Sequence, residues 1–140
     1  MYRSILVPVD LADTQAPGRA LDVAVSLAEQ SGGRVRLIYV RSLVPITYME
    51  FVPADFDEGQ HAEAEAQLAA MAAEVPLPPE RVSAKVLVGS IHGEVLADAE
   101  ANGADLIVIG SHQPGMLDYV IGSNASAIAR RAKCSVLIVR

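Results

Sequence analysis

Residues 104–140 read ADLIVIGSHQPGMLDYVIGSNASAIARRAKCSVLIVR. The runs DLIVI at 105–109 and SVLIV at 135–139 are short, β-branched and apolar almost throughout. A strand without polar alternation is one buried on both faces, as in a parallel sheet. Between the runs, residues 123–132 place Ala125, Ile128, Ala129 and Ala132 on one helical face. Arg130, Arg131 and Lys133 gather at the end of that helix, where positive charge suits its dipole. Strand, helix and strand in this order predict a parallel crossover. What needs explaining is the Gly-rich loop that leaves the first strand at Gly110 and opens the helix with Gly-Ser-Asn at 122–124.

The same grammar runs back to the N-terminus. Apolar runs occur at 4–9 (SILVPV), 34–40 (RVRLIYV) and 81–88 (RVSAKVLV). A helix over 15–31 has Ala20, Leu21, Ala24, Val25, Leu27 and Ala28 on one face. Asp13 or Thr14 can cap it, Pro17 suits its first turn, and Gly32-Gly33 ends it. A helix over 58–74 carries the stripe Ala64, Leu68, Met71, Val75, and one over 91–102 turns Ile91, Val95, Leu96 and Ala99 inward behind a Ser90 cap. Five strands alternating with four helices predict a doubly wound parallel sheet with helices on both faces, and if its order is 3-2-1-4-5 the reversal lies between strands one and four. The long irregular stretch at 42–57 (SLVPITYMEFVPADFD) reads as an ordered flap or contact surface.

The chain has 140 residues, 51% of them apolar and 4% aromatic, which suits one domain over 1–140 with an aliphatic core. The net charge of −6 argues against a nucleic-acid partner held by a basic surface. No apolar stretch approaches the ~20 residues of a membrane helix, and the N-terminal apolar run is too short for a secretion signal. The single cysteine, Cys134, forms no intramolecular disulfide and fits a reducing compartment. A cytoplasmic protein is expected.

In an open parallel sheet, ligands bind past the carboxyl ends of the strands, where the strand order reverses. Here that lies between the first strand, ending VPVD at 7–10, and the fourth, ending VIGSH at 108–112. The helix beginning at Ser123 offers unpaired N–H groups and the positive end of a dipole, a ready anion site. Gly122 lets backbone approach a ligand closely, while Ser123, Asn124 and Ser126 add donors. The loop has no lysine, so phosphates would rest on backbone amides and a metal ion. Equally, Gly-Ser before a helix is an ordinary cap. Neither G-x-x-x-x-G-K-[ST] nor G-x-G-x-x-G after the first strand is present.

Taken together, ILVPVDLAD at 5–13, ADLIVIGSH at 104–112, GSNASAIARRAKCSVLIVR at 122–140 and the element order resemble the universal stress protein family end to end. The stretch SHQPGMLDYVIGSNAS is most similar to its enteric F- and G-type branch. The resemblance implies a Rossmann-like fold of the adenine nucleotide alpha hydrolase type. It implies a regulatory stress-response protein rather than a strong catalyst, a homo-oligomer paired through the final strand, 135–140, and binding of ATP or another adenine nucleotide, with Mg2+. Carried over by position, Pro8 and Val9 would line the nucleoside pocket. Asp10 would meet the ribose or, through the nucleotide, the metal. Val40 would meet adenine through its backbone. Ile109, Gly110 and His112 would border ribose and phosphates, and Gly122, Ser123, Asn124 and Ala125 would hold the phosphates. The chain departs from the ATP-binding pattern of the family twice. Gln113 stands where a second Gly belongs, with Gly115 close by, and the spacer to Gly122-Ser123 is one residue short.

Plainer roles compete at single positions. Asp10 could cap a turn. His112 could be a surface loop residue, and Tyr119 could merely pack. His61 reads as solvent-exposed, His92 as structural, and Cys134 as packing. No paired nucleophile and base, and no G-x-S-x-G elbow, appears, so no catalytic residue is assigned; weak ATP hydrolysis stays open. The alternative function is an interaction module whose flap, with Tyr48, Phe51 and Phe56, meets an unknown protein partner.

Overall fold

The computed structural model describes residues 1–11, 16–42, 56–111 and 122–140. The elements run β1 (Ser4–Pro8), α1 (Ala16–Ser31), β2 (Arg34–Arg41), α2 (Phe56–Ala73), a 3-10 turn (Pro79–Arg81), β3 (Val82–Val88), α3 (Ile91–Ala101), β4 (Leu106–Gly110), α4 (Ser123–Arg131) and β5 (Ser135–Val139). The strands form one parallel sheet in the order β3-β2-β1-β4-β5. This is the expected order 3-2-1-4-5.

Strand alternation divides the core into two layers. Ile5, Val7, Val35, Leu37, Leu106 and Val108 point to the face covered by α1 and α2, where they meet Ala20, Ala24, Ala28, Ala64 and Leu68. Leu6, Ile38, Val40, Ile107 and Ile109 point to the other face and meet Val95 and Ala99 of α3 with Ala125 and Ile128 of α4. Each of the three central strands is therefore covered on both sides, which suits the apolar runs of β1 and β4, while β2 keeps Arg34 exposed and Arg36 half-buried at its start. The outer strands differ. β3 exposes Ser83, Ala84 and Lys85, and β5 exposes Ser135 and Leu137, because each has a neighbour on one edge only.

The helix stripes mostly follow the sequence. Ala64, Leu68 and Val75 are buried and Met71 half-buried, spaced four, three and four apart. In α4 the expected stripe is corrected. Ala129 is exposed, and Ala127 is buried beside Ala125 and Ile128. Alanines dominate this helix, so its wheel has little size contrast to fix the rotation.

Two caps act as expected. Ser90 Oγ accepts from Gly93 N at 3.3 Å in the first turn of α3. Gly32 takes a φ of +74° after α1, a left-handed turn that suits glycine. A Cβ on Gly33 would lie 2.8 Å from the Arg3 backbone, so glycine there lets β1 and the α1 exit meet. The proposed caps Asp13 and Thr14 lie outside the described residues.

The end of the sheet opposite the strand carboxyl termini is closed by polar groups. Asp105 accepts from the backbone N–H groups of Arg3 and Ser4 at 2.8 and 3.0 Å. Arg81 donates to the carbonyls of Gly33 and Ala28 at 2.6 and 2.8 Å, satisfying the C-terminal end of α1. Arg36 holds Asp98 through two bonds of 2.8 and 2.9 Å, and Asn102 Nδ2 adds a third to the same carboxylate at 3.1 Å. No helix among the described residues is long and apolar enough to cross a membrane.

Candidate functional site at the carboxyl ends of β1 and β4

The opposite end of the sheet is opened by a proline. The Ser4 carbonyl accepts from Asp105 N at 2.9 Å, so the alternate residues Ser4, Leu6 and Pro8 turn their backbone groups toward β4. Pro8 has no N–H with which to continue the ladder. Pairing of β1 with β4 stops at Leu6↔Ile107. On its other edge β4 stays paired with β5 up to Gly110↔Val139, and Ser111 N still donates to Val139 O at 2.9 Å. The carboxyl ends of β1 and β4 are thus free of one another at the point where the strand order reverses.

On the far side, β1 stays attached to β2 one step longer. Val9 N donates to the Ile38 carbonyl at 2.8 Å, while Gly89 N donates to the Arg41 carbonyl at 2.9 Å. Alternation then turns Ile38 and Val40 toward β1, and Arg41 toward β3. Since β1 ends at Pro8, the Val40 carbonyl faces the space beyond it. This is the backbone group assigned to adenine on resemblance.

Helix α4 closes the site from the second face. Its N-cap is Gly122, buried, with φ −59° and ψ 153° and no side-chain cap. The first bond back to the cap is Ser126 N to Gly122 O at 2.9 Å, which leaves the N–H groups of Ser123, Asn124 and Ala125 outside the helical ladder. Ser123 is exposed, Asn124 half-buried and Ala125 buried against the sheet. An anion at such a turn gains about 0.3–1 kcal/mol from the dipole, besides its hydrogen bonds.

The structure therefore groups Pro8, Val9, Asp10, Val40, Ile109, Gly110, Gly122, Ser123, Asn124 and Ala125 at one end of the sheet. Val9, Val40 and Ile109 are buried, Pro8 and Gly110 half-buried, and Asp10 exposed. His112, Gln113, Gly115 and Tyr119 lie outside the described residues, as do residues 43–55 of the expected 42–57 flap with Tyr48 and Phe51, while its last residues, Phe56 and Asp57, begin α2 instead of an irregular segment. The chemistry on offer is neutral: backbone N–H donors, a backbone carbonyl, a hydroxyl and an amide, with Asp10 as the charged group. This suits an anion at the first turn of α4.

Two side-chain groupings near this end were not foreseen. Arg41, whose side chain is 11% exposed, donates to Asp57 Oδ1 at 2.8 Å and lies 3.3 Å from His61 Nδ1. His61 Nε2 lies 3.5 Å from Glu65 Oε1. His61 is therefore half-buried and engaged, not solvent-exposed as its helix face implied. The second grouping is His92 of α3, whose Nδ1 lies 3.4 Å from Asn124 Oδ1.

All of residues 1–140 match the description "Universal stress protein family". Universal stress protein G of Shigella flexneri is 36% identical over 143 residues, covering 100% of both chains. The chain belongs to the universal stress protein family. Among solved structures, the universal stress protein UspA from Lactobacillus plantarum is similar with a TM-score of 0.80 at 23% identity, covering 99% of this chain and 98% of that one. A universal stress protein in complex with cAMP is similar with a TM-score of 0.66 at 24% identity, covering 99% and 97%. The protein from Archaeoglobus fulgidus in complex with dAMP has a TM-score of 0.66 at 20% identity, covering 99% and 98%. These likenesses show the fold: a universal stress protein built on the same five-stranded sheet.

Proposed function

We propose that this universal stress protein binds an adenine nucleotide past the carboxyl ends of β1 and β4 and acts through binding rather than turnover. The observation that carries the reading is the first turn of α4. It is capped by a buried glycine, lacks a side-chain cap, and stands at the reversal point where Pro8 ends the β1–β4 ladder. Relatives of the same fold are complexes with cAMP and dAMP, which supports an adenine nucleotide as the ligand class.

Adenine meets the Val40 carbonyl and the apolar surface of Val9 and Ile109. Asp10 lies beside the ribose. The N–H groups of Ser123, Asn124 and Ala125 take the phosphates, with the Ser123 hydroxyl beside them. Mg2+ on a triphosphate would neutralise part of its charge, and Asp10 would meet it only through the nucleotide. ATP is the proposed form, and the proposed role is nucleotide-dependent regulation in the cytoplasm. The chain assembles through β5, which presents Leu137 (38% exposed) and an unpaired strand edge.

Calorimetric titration of the purified protein with adenosine, AMP, ADP and ATP, with and without Mg2+, tests this. Affinity rises with phosphate number, and Gly122→Val weakens ATP at least tenfold while adenosine changes little. Absence of heat with all four, in protein freed of co-purified ligand, refutes nucleotide binding. The 42–57 flap then becomes the candidate binding surface.

A further inference from the structure

We propose that His92 is a positioning residue for the phosphate end of this site, acting through Asn124. The inference rests on the nucleotide reading above. Helices α3 and α4 pack side by side on one face of the sheet, Val95 and Ala99 against the cluster holding Ala125 and Ile128. Both begin at the strand carboxyl ends, so their first turns are neighbours. They end differently. The α3 turn is closed by its own residues: Ser90 Oγ accepts from Gly93 N at 3.3 Å, and the Glu94 carboxylate folds back so closely that a Cβ on Gly89 would lie 2.6 Å from its Oε1. The α4 turn has no side-chain cap. His92, half-buried in the closed turn, reaches across to the second residue of the open one.

The chemistry of that contact has a direction. Asn124 Oδ1 can only accept, so the 3.4 Å contact is a hydrogen bond in the tautomer that carries its proton on Nδ1. A planar amide held by its oxygen sets its Nδ2 at about 120° to that oxygen, turned aside from His92. His92 thereby fixes which end of Asn124 is offered to a ligand: a donor pair, suited to phosphate oxygens, instead of an acceptor that would repel them. Without His92 the amide can turn over, and half of its orientations present oxygen to the anion. The α3 crossover in this way contributes to a site otherwise built from β1, β4 and α4.

The experiment compares adenosine, AMP and ATP binding to wild type, His92→Leu, His92→Asn, Asn124→Ala and His92→Leu/Asn124→Ala. His92→Leu weakens AMP and ATP at least about tenfold, the lower end of what one hydrogen bond to a charged group contributes, and leaves adenosine within about twofold. His92→Asn restores the phosphate ligands, because its amide nitrogen occupies the place of Nδ1. In the Asn124→Ala background, His92→Leu has no further effect. In wild-type protein, which depends on no variant folding, the His92 ring and Asn124 side-chain amide resonances shift with AMP and not with adenosine. Equal loss for adenosine and AMP, absence of rescue by asparagine, or an unmoved amide resonance overturns the positioning role while the nucleotide reading stands. A wild-type chain that binds none of the three ligands overturns both.

Discussion

Removing the Asp98 carboxylate tests how the closed end of the sheet is held. Asp98 has a side chain 7% exposed and faces Arg36, 22% exposed, through two bonds of 2.8 and 2.9 Å. The pair is the fork-to-fork geometry in which charge-assisted bonds are strongest. Its hydrogen bonding holds the Arg36 guanidinium above its ordinary pKa, against the opposing effect of burial. In Asp98→Ala the guanidinium keeps its charge and loses both acceptors, and Asn102 Nδ2 loses its side-chain acceptor. Stripping one partner from a fully buried pair costs about 3–5 kcal/mol. Arg36 keeps some access to water, so the expected loss is smaller, about 2–3 kcal/mol. Urea unfolding at pH 7, at fixed protein concentration, reads this as a lower midpoint with an unchanged slope. In thermal unfolding the same loss lowers Tm by about 6–10 °C for a domain of this size. The double variant Arg36→Met/Asp98→Leu recovers at least half, because no buried charge is left unpaired. A loss under about 0.5 kcal/mol for Asp98→Ala, the level of an exposed ion pair, refutes the assignment, as does simple additivity in the double variant.

Leu68, 1% exposed, seats α2 on the sheet, and Leu68→Ala lowers stability by about 2.5–4 kcal/mol, read from the urea midpoint. Ser90→Ala removes the α3 cap and costs about 1 kcal/mol in the same assay, with the far-ultraviolet spectrum preserved. Burial pushes the Cys134 thiol up, so it alkylates more slowly than free cysteine at pH 7.5. The folded chain then keeps a proton that the unfolded chain releases. The stability difference between wild type and Cys134→Ser is accordingly flat below the ordinary thiol pKa of about 8.5 and moves against wild type as the pH rises through it.

The parallel sheet was legible in the alternation of apolar runs with helices, but not the position of each strand in it: SVLIV reads as apolar as DLIVI and yet lies at an edge, while RVRLIYV carries Arg34 and Arg36 and lies inside. The edge position of β3 was written, in Ser83 and Lys85, but the apolar residues around them make RVSAKVLV look like a core strand. The rotation of α4 was not legible, since alanine on every face gives the packing little to choose between. Within the site, the backbone part at the helix start was readable from Gly122 and the Ser-Asn that follows it, whereas the break that Pro8 makes between β1 and β4 shows only in the strand pairing. The side-chain parts were not. His61 looks solvent-facing until Arg41 of another element folds against it. His92 looks structural until α3 and α4 are known to begin side by side.

The two ends of the sheet divide the work between them. At the closed end, charged groups are spent on the fold: Asp105 on the start of β1, Arg81 on the end of α1, Arg36 and Asp98 on each other. At the open end, the corresponding backbone groups are left outside the ladders by Pro8 and by a glycine cap. Parallel strands enforce this arrangement, because every crossover helix begins at the same end and directs its free N–H groups there. Stability and ligand affinity should therefore separate by position. Asp98→Asn keeps the shape of the side chain but removes its charge, and lowers the urea midpoint while leaving ATP affinity within about twofold. Gly122→Val does the reverse. A variant pair in which both properties fall together in both proteins would mean that the two ends are coupled through the sheet, and the division argued from the hydrogen bonds would be wrong.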